Sequence, residues 1–404
     1  MTEHLAPGTV IDGRFELRAV IDSGGLATVW RAYDRETDAP VAVKCENDES
    51  HDRAQVRAHF REELRWFRRF AAGPTPGSLV QFVDGAVDDG SIYVATELIA
   101  GGSVLEWLGD EVEPGPAAFR TVGAPVCRAI AFLHRAGVVH LDLKPSNVLV
   151  RRRGPPAVID LNSAVSTDEG TGTLFHHDPF KPPELAPTDA RDDPVGPWSD
   201  VYALGKLLVH LLTGETVPFE ASSLDAWHAV DPRDLGADCP PELAAVLERA
   251  TAPRYADRFD DADALYASLA SHFEVPAHSA RFRHGSSGQT VLVHPGDAVG
   301  RWSADERVPA VVLPDEGRHL SPEHAVLERD GGTWSIRDRS LNGTHVRTPD
   351  GWRYVLSAQG LERRREASAP LPQPDPDASI RLFDGDRIAP VSPDYGCTLR
   401  FRED

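Results

Sequence analysis

His140-Leu141-Asp142-Leu143-Lys144-Pro145-Ser146-Asn147 is the stretch from which the rest of the chain is read. Within six residues it sets out a carboxylate (Asp142), an ammonium (Lys144) and a side-chain amide (Asn147). Phosphoryl transfer asks for those three groups: a carboxylate to orient an attacking hydroxyl, a cation near the transferring phosphoryl, and an oxygen ligand for Mg²⁺. A loop is the setting in which three side chains of one short segment can converge. Eighteen residues beyond Asp142, Asp160 follows the apolar run Ala157-Val158-Ile159, where a second metal ligand would sit.

Upstream of this loop the pattern is that of strands. Residues from Val10 to about Trp30 alternate with period two, interrupted by Ser23-Gly24-Gly25, and Pro40 to Cys45 reads as a strand carrying Lys44. Between Ala54 and Phe70, Val56, Phe60, Leu64 and Phe67 fall at three- and four-residue spacing, which predicts an amphipathic helix. Further strands are expected at Leu79–Phe82 and Ser91–Leu98. Downstream the periodicity becomes helical, over Ala117–Ala136, Val201–Leu212 and Pro241–Thr251. Strands first and helices later predict an α+β unit, a small β-rich lobe followed by a larger helical one. From about Ala280 short strands separated by Gly, Pro, Asp and Asn, with no expected helix, point to an all-β sandwich. The Arg-, Pro- and Ala-rich segment 357–379, containing LPQPDPD, reads as a mobile loop inserted in it.

Composition bounds these readings. A chain of 404 residues is too long for one ordinary core. A net charge of −21 argues against a nucleic-acid partner, because phosphate backbones need a basic surface. Lys44, Lys144, Lys181 and Lys206 are the only lysines among many arginines, so a lysine at a chemically demanding position is informative. Cys45, Cys127, Cys239 and Cys397 are scattered, with neither metal-ligand spacing nor a disulfide framework, which suggests a reducing compartment. The most apolar helical run, Val201–Thr213, contains Lys206 and His210 and is too short for a membrane span. With no secretory signal read before the first motif, a cytoplasmic protein without a membrane partner is expected.

Residues 10 to 273 resemble a protein kinase domain of the bacterial Hanks type. Val41-Ala42-Val43-Lys44 is similar to the family strand whose Lys grips the α- and β-phosphates, and Glu63 stands where its ion-pair partner would be. Pro182-Pro183-Glu184 resembles the family's Ala-Pro-Glu. Ser199-Asp200-Val201-Tyr202-Ala203-Leu204-Gly205 resembles the helix whose Asp braces the catalytic loop, and Arg258 resembles the Arg that pairs with the Glu at 184. The resemblance implies a bilobal fold, ATP and Mg²⁺ as cofactors, and protein substrates. It implies Asp142 and Lys144 as catalytic groups and Asn147 and Asp160 as metal ligands. The nucleotide would be bordered by Ser23, Gly24, Gly25, Ala27, Val29, Ala42, Thr96, Glu97, Leu98 and Leu149, with Lys44 and Glu63 at its phosphates.

Three motifs depart from the family pattern. The phosphate loop reads Asp22-Ser23-Gly24-Gly25-Leu26-Ala27, with Asp22 where glycine is usual, which predicts backbone discomfort and weaker nucleotide binding. Asp160-Leu161-Asn162 replaces Asp-Phe-Gly, with Leu161 expected in an apolar slot near His140 and Phe67, and Asn162 as a left-handed stand-in for glycine. Leu141 replaces the Arg that receives a phosphorylated activation loop, so phosphates on Thr167, Thr171 or Thr173 would lack that anchor. His176-His177 reads as a solvated pair rather than a metal site.

Residues 280–404 resemble a forkhead-associated (FHA) domain. The match rests on Gly300-Arg301, Ser321-Pro322-Glu323-His324, Ser340-Leu341-Asn342-Gly343-Thr344 and Leu382-Phe383-Asp384-Gly385-Asp386-Arg387-Ile388, in that order. This implies binding of a phosphothreonine peptide through Arg301, Ser321 and Asn342, with His324 bracing the loops from inside. Two other readings fit part of the pattern: a pseudokinase scaffold whose working part is the FHA domain, and a small-molecule kinase of the aminoglycoside phosphotransferase kind.

Overall fold

The computed structural model describes residues 5–24, 27–47, 53–88, 92–167, 178–185, 194–216, 228–315, 317–366 and 378–404. Gly25, Thr171, Thr173, His176 and His177 lie outside them, as does part of the 357–379 segment.

The first lobe is built from β1 (Val10–Ile11), β2 (Phe15–Ser23), β3 (Ala27–Asp34), β4 (Ala39–Glu46), α1 (Arg53–Ala71), β5 (Thr75–Pro76), β6 (Phe82–Val87) and β7 (Ile92–Glu97). One antiparallel sheet runs in the order β1-β2-β3-β4-β7-β6. Alternation in these strands buries Phe15, Leu17, Trp30, Val41, Val43 and Tyr93 in one cluster, as period two requires of a half-covered sheet. The strand expected at Leu79–Phe82 lies later in the chain: Leu79 makes one isolated bridge to Val158, and regular pairing starts at Phe82. Helix α1 turns Val56, Phe60, Leu64, Phe67 and Phe70 inward.

The second lobe comprises α2 (Val104–Asp110), α3 (Pro116–Arg135), β8 (Val138–Val139), β9 (Val148–Leu149), β10 (Ala157–Val158), β11 (Val165–Ser166), α4 (Pro197–Thr213), α5 (Pro241–Ala250) and α6 (Ala262–Leu269). Helices α3 and α4 pack at its centre with almost every side chain of α4 buried. The two-residue pairs β9–β10 and β8–β11 pin the segments on either side of the catalytic loop.

The remaining elements are β12 (Ala280–His284), β13 (Thr290–Val293), β14 (Ala298–Gly300), β15 (Val311–Val312), β16 (Ala325–Asp330), β17 (Thr333–Asp338), β18 (Thr344–Thr348), β19 (Gly351–Val355), α7 (Ala358–Glu366), β20 (Ser379–Leu382), β21 (Arg387–Pro390) and β22 (Leu399–Glu403). Together with β5 they form two six-stranded sheets, β13-β12-β22-β21-β18-β19 and β20-β17-β16-β14-β15-β5. Phe282, Leu327, Trp334, Ile336, Val346 and Phe401 are buried in the core.

Two further features differ from the sequence expectations. The segment 357–379 begins with a helix, α7, where a loop was expected. The Ser357 hydroxyl accepts from Gly360 N at 3.0 Å, and Leu361-Glu362-Arg363-Arg364-Arg365 are good helix formers. The second sheet also ends on β5, a strand from the first lobe, paired as Val311 to Pro76 and Val312 to Thr75. Period-two patterning cannot disclose which distant strand pairs with a given edge.

Candidate active site

The register of β3, β4 and β7 places the sequence-marked nucleotide residues. Val29 lies opposite Lys44, and Ala42 opposite both Arg31 and Thr96. From β4 the Lys44 ammonium reaches Glu63 on α1 at 3.2 Å and Asp160 at 3.3 Å. Burial opposes the Lys44 charge, but the carboxylates of Asp160 and Glu63 outweigh it and hold its pKa above the ordinary value. Burial pushes the Glu63 carboxyl up, and Lys44 pulls it back. Partial burial pushes the half-buried Asp160 carboxyl up, yet Lys44, the Asn162 N–H and His140 keep its pKa below the usual range.

In the catalytic loop Lys144 Nζ lies 3.0 Å from Asp142. The Asn147 amide nitrogen donates to the Asp142 carbonyl at 2.8 Å and to its carboxylate at 2.9 Å. With its nitrogen so committed, Asn147 leaves Oδ1 unengaged among the described residues. Asp160 likewise spends only Oδ1, on Lys44 and on Asn162 N. An amide oxygen and a carboxylate oxygen suit Mg²⁺, which takes one or two protein oxygens and completes its shell with water and substrate phosphates. Among the described residues no three His, Cys, Asp or Glu side chains cluster as a self-sufficient metal site.

The loop is held from beneath by Asp200, wholly buried on α4. Its carboxylate accepts from His140 N at 2.7 Å and Leu141 N at 2.8 Å, and from His134 Nε2 at 2.9 Å. Burial alone would raise the Asp200 pKa; His134 and these bonds lower it. The brace matters because Leu141 has φ of 64°, a left-handed conformation that a branched side chain adopts only when its surroundings impose it. The Leu141 side chain is buried with Val139 and Leu185, and Val165 and Val195 pack against them. An apolar cluster therefore joins the catalytic loop to the segment around Pro-Pro-Glu at the position where the family carries a cation. Glu184 itself is clasped by Arg258 at 2.8 and 3.0 Å, and that guanidinium also donates to the carbonyls of Ala252, Trp198 and Pro253.

Two backbone expectations are corrected, those for Asn162 and Asp22. The left-handed residue of the Asp160-Leu161-Asn162 turn is Asp160, φ 64°, not Asn162; the carboxylate folding back onto Asn162 N stabilises it. Asp22 lies within β2 opposite Val29 without positive φ, so it carries no backbone strain. Glu97 turns its side chain away from the cleft into a buried ion pair with Arg151 and accepts from Gln81 N at 2.9 Å; only its backbone is left to face a nucleotide. Leu161 is fully buried in the cluster that contains Phe67, and Leu149 pairs with Ala157.

Sequence reading missed two neighbours of the site. Asp178 lies 3.6 Å from Lys144. Asn47 links Thr28, at 2.5 Å, to the Gly24 carbonyl, while Thr28 lies 3.2 Å from the Ser23 hydroxyl. This tethers a phosphate loop poor in glycine, and no local pattern announces it.

At one end of the sandwich, Arg301, Ser321 and Asn342 come together. A Cβ on Gly300 would sit 2.0 Å from the Pro322 carbonyl oxygen, so glycine there lets β14 lie against the Ser321 loop. Arg301 is fixed by donation to the carbonyls of Leu320 at 2.9 Å and Trp302 at 3.0 Å. Ser321 Oγ accepts from Leu341 N at 3.4 Å, and the Asn342 amide donates to the His319 carbonyl at 2.7 Å. His324 is buried beneath, with Nδ1 accepting from Ser321 N at 3.3 Å and Nε2 donating to the Gly343 carbonyl at 3.0 Å; burial lowers its pKa to about 4. Asp338, unmarked in the sequence reading, accepts from Ser340, Thr344 and Ser357. Burial raises its pKa to about 6. The spacing Asp338-Arg339-Ser340 was the available clue.

A β-rich lobe and a helical lobe meeting at Lys44, Glu63, Asp142, Asn147 and Asp160 define a protein kinase. The protein kinase domain family matches residues 15–241, more than half of the chain, and the FHA domain family matches 298–356. Over 358 residues the chain is 30% identical to serine/threonine-protein kinase PknL of Mycobacterium tuberculosis, covering 81% of this chain and 88% of that protein. It is 32% identical over 356 residues to DNA damage-responsive serine/threonine-protein kinase RqkA of Deinococcus radiodurans, covering 85% of this chain and 52% of the relative. The chain belongs to the protein kinase family: it is a serine/threonine-protein kinase with a C-terminal FHA domain. That class uses ATP and acts on protein substrates, and the FHA domain implies phosphopeptide binding. Among the described residues no helix is long and apolar enough to cross a membrane.

Proposed function

We propose that residues 10–273 transfer the γ-phosphoryl of ATP to protein Ser or Thr hydroxyls, and that residues 280–404 bind phosphothreonine. The observation that carries the first half is Lys44 standing 3.2 Å from Glu63 and 3.3 Å from Asp160, because it assembles a phosphate-binding cation with its partners. Lys44 grips the α- and β-phosphates. Asp142 orients the acceptor hydroxyl and takes its proton as the bond from phosphorus to that oxygen forms and the bond to ADP breaks. Lys144 offsets charge on the transferring group. Asn147 Oδ1 and Asp160 would hold Mg²⁺, whose chemistry here is to neutralise phosphate charge. Ser23, Gly24, Ala27, Val29, Ala42, Thr96, Leu98 and Leu149 border the nucleotide, with Glu97 contributing backbone alone.

In the second domain Arg301 presents a charge-assisted donor to phosphate, Ser321 a hydroxyl, and Asn342 an amide to the peptide backbone. The ligand is a phosphothreonine of this chain or of a client protein, and the setting is cytoplasmic, consistent with four free cysteines. The test is transfer of labelled γ-phosphate to a generic Ser/Thr substrate, with and without chelator, alongside titration of matched phosphothreonine and phosphoserine peptides. Transfer that survives chelation of divalent cations would remove the Mg²⁺ roles. Equal affinity for the two peptides would remove the phosphothreonine reading.

A further inference from the structure

Helix α1 carries Glu63, and its last carbonyls, like those of any helix, have no partner within the helix. Two of them, Arg69 O and Phe70 O, accept from the Gln289 side-chain amide at 3.3 and 3.1 Å. Gln289 belongs to the sandwich, more than two hundred residues away. Its amide is aimed from its own side: the Ser287 hydroxyl donates to Gln289 Oε1 at 2.7 Å, which turns the NH₂ toward the helix. Directly after the helix, Gly73 passes so close that a Cβ there would lie 1.7 Å from Gln289 Oε1 and 2.3 Å from Ser287 Oγ. The chain then enters β5 and pairs with β15, and Gly77 N donates to the Ala310 carbonyl at 2.8 Å.

The same sandwich holds the helical lobe. Arg128 on α3, the helix that leads into the catalytic loop, donates to Asp297 and to the Leu292 carbonyl, both at 2.7 Å. Burial opposes the Arg128 charge and Asp297 more than offsets it. Tyr266 on α6 lies 3.3 Å from His294. One domain therefore touches the end of α1 and the helices of the second lobe. Glu63 lies two helical turns before Phe70, and a helix transmits a fixed end faithfully over about 10 Å.

We propose that Gln289 is a positioning residue of the kinase: through it and β15, the FHA sandwich holds α1 so that Glu63 faces Lys44. This rests on the role given to Glu63 above. The sandwich is then a structural part of the catalytic unit as well as a reader of phosphopeptides, and α1 is set from outside the kinase domain.

Steady-state kinetics of the full chain with varied ATP test the proposal. Gly73→Ala puts a methyl where the Gln289 amide lies, so that flexible side chain swings off the last carbonyls of α1, and kcat/KM for ATP falls roughly tenfold as Glu63 loses its hold. In a Ser287→Ala/Gln289→Ala background, where the methyl has room, Gly73→Ala costs about twofold or less, because contacting residues do not act additively. In a Glu63→Gln background it also costs about twofold or less, because its effect runs through the group already removed. A loss of stability alone would persist in that background. Should Gly73→Ala fail to fold, Gln289→Glu, equal in size but facing two carbonyls without donors, carries the test with a fall of about fivefold. Undiminished kinetics in Gly73→Ala or Gln289→Glu beside an impaired Glu63→Gln overturn the proposal alone; so does a Gly73→Ala loss that is the same in all backgrounds. A fully active Glu63→Gln overturns the Glu63 role and the proposal together.

Discussion

The catalytic cleft and the phosphate-reading end of the sandwich both handle phosphate, yet they hold their polar side chains differently. In the cleft, charges are paired with charges: Lys44 with Glu63 and Asp160, and Lys144 with Asp142. In the sandwich, Arg301 is steadied by two neutral carbonyls and makes no ion pair among the described residues. Pairing offsets the desolvation of buried charges and keeps them in place through a reaction in which charge moves. A binding site that moves no charge does better leaving its guanidinium uncompensated, so that a phosphate becomes its counter-ion. Below both sites lies a buried carboxylate, Asp200 accepting from neighbouring N–H groups in one and Asp338 from N–H and hydroxyl groups in the other.

The largest expected effect sharpens the cleft side. Asp142→Asn lowers kcat by about 10²–10⁴-fold with little change in nucleotide affinity, measured by labelled phosphate transfer and nucleotide titration. Comparable activity in the variant would break the assignment. Next is Arg258→Ala, which strands the buried Glu184 carboxylate and destabilises the helical lobe by about 3–5 kcal/mol in denaturant unfolding. On the sandwich side, Arg301→Ala removes charge-assisted bonds worth about 1.5–3 kcal/mol, weakening phosphothreonine-peptide binding roughly 10- to 100-fold by calorimetry. Transfer to a peptide substrate should be unaffected.

A smaller effect comes from pH. His324 has a folded pKa of about 4, below its ordinary 6.5. The folded state thus binds fewer protons than the unfolded one between these values, and stability falls as pH drops from 6.5 toward 4, by about 1.4 kcal/mol per pH unit. Asp338 acts in the opposite sense: its carboxyl is raised to about 6, favouring the folded state as pH falls through the same window. The difference in melting temperature between wild type and His324→Gln, followed across this range, isolates the histidine contribution. A difference independent of pH would break it. The smallest expected effect is none: replacing Thr167, Thr171 and Thr173 together by Ala leaves peptide-kinase rates unchanged, because Leu141 joins an apolar cluster where a phosphate-binding cation would stand. An inactive triple variant would refute this.

Much of the cleft was legible because its groups sit at short, fixed spacings. Asp142, Lys144 and Asn147 span six residues of one loop, and Val41-Ala42-Val43-Lys44 announces a strand that must turn Lys44 one way. Arg301, Ser321 and Asn342 were legible by their order alone. What failed was local conformation governed by contacts: Asp160 rather than Asn162 takes the left-handed turn, and α7 forms where a loop was expected.

The sequence by itself determined which chemical groups this kinase and its phosphopeptide reader possess and which segments carry them, because periodicity and motif spacing are properties of neighbouring residues. Only the tertiary structure decided that Lys44, Glu63 and Asp160 converge, that Leu141 is buried against Leu185, and that β5 and the end of α1 belong as much to the sandwich as to the kinase lobe. Those contacts join residues tens to hundreds of positions apart, and their energy depends on distance in space, which no local pattern along the chain records.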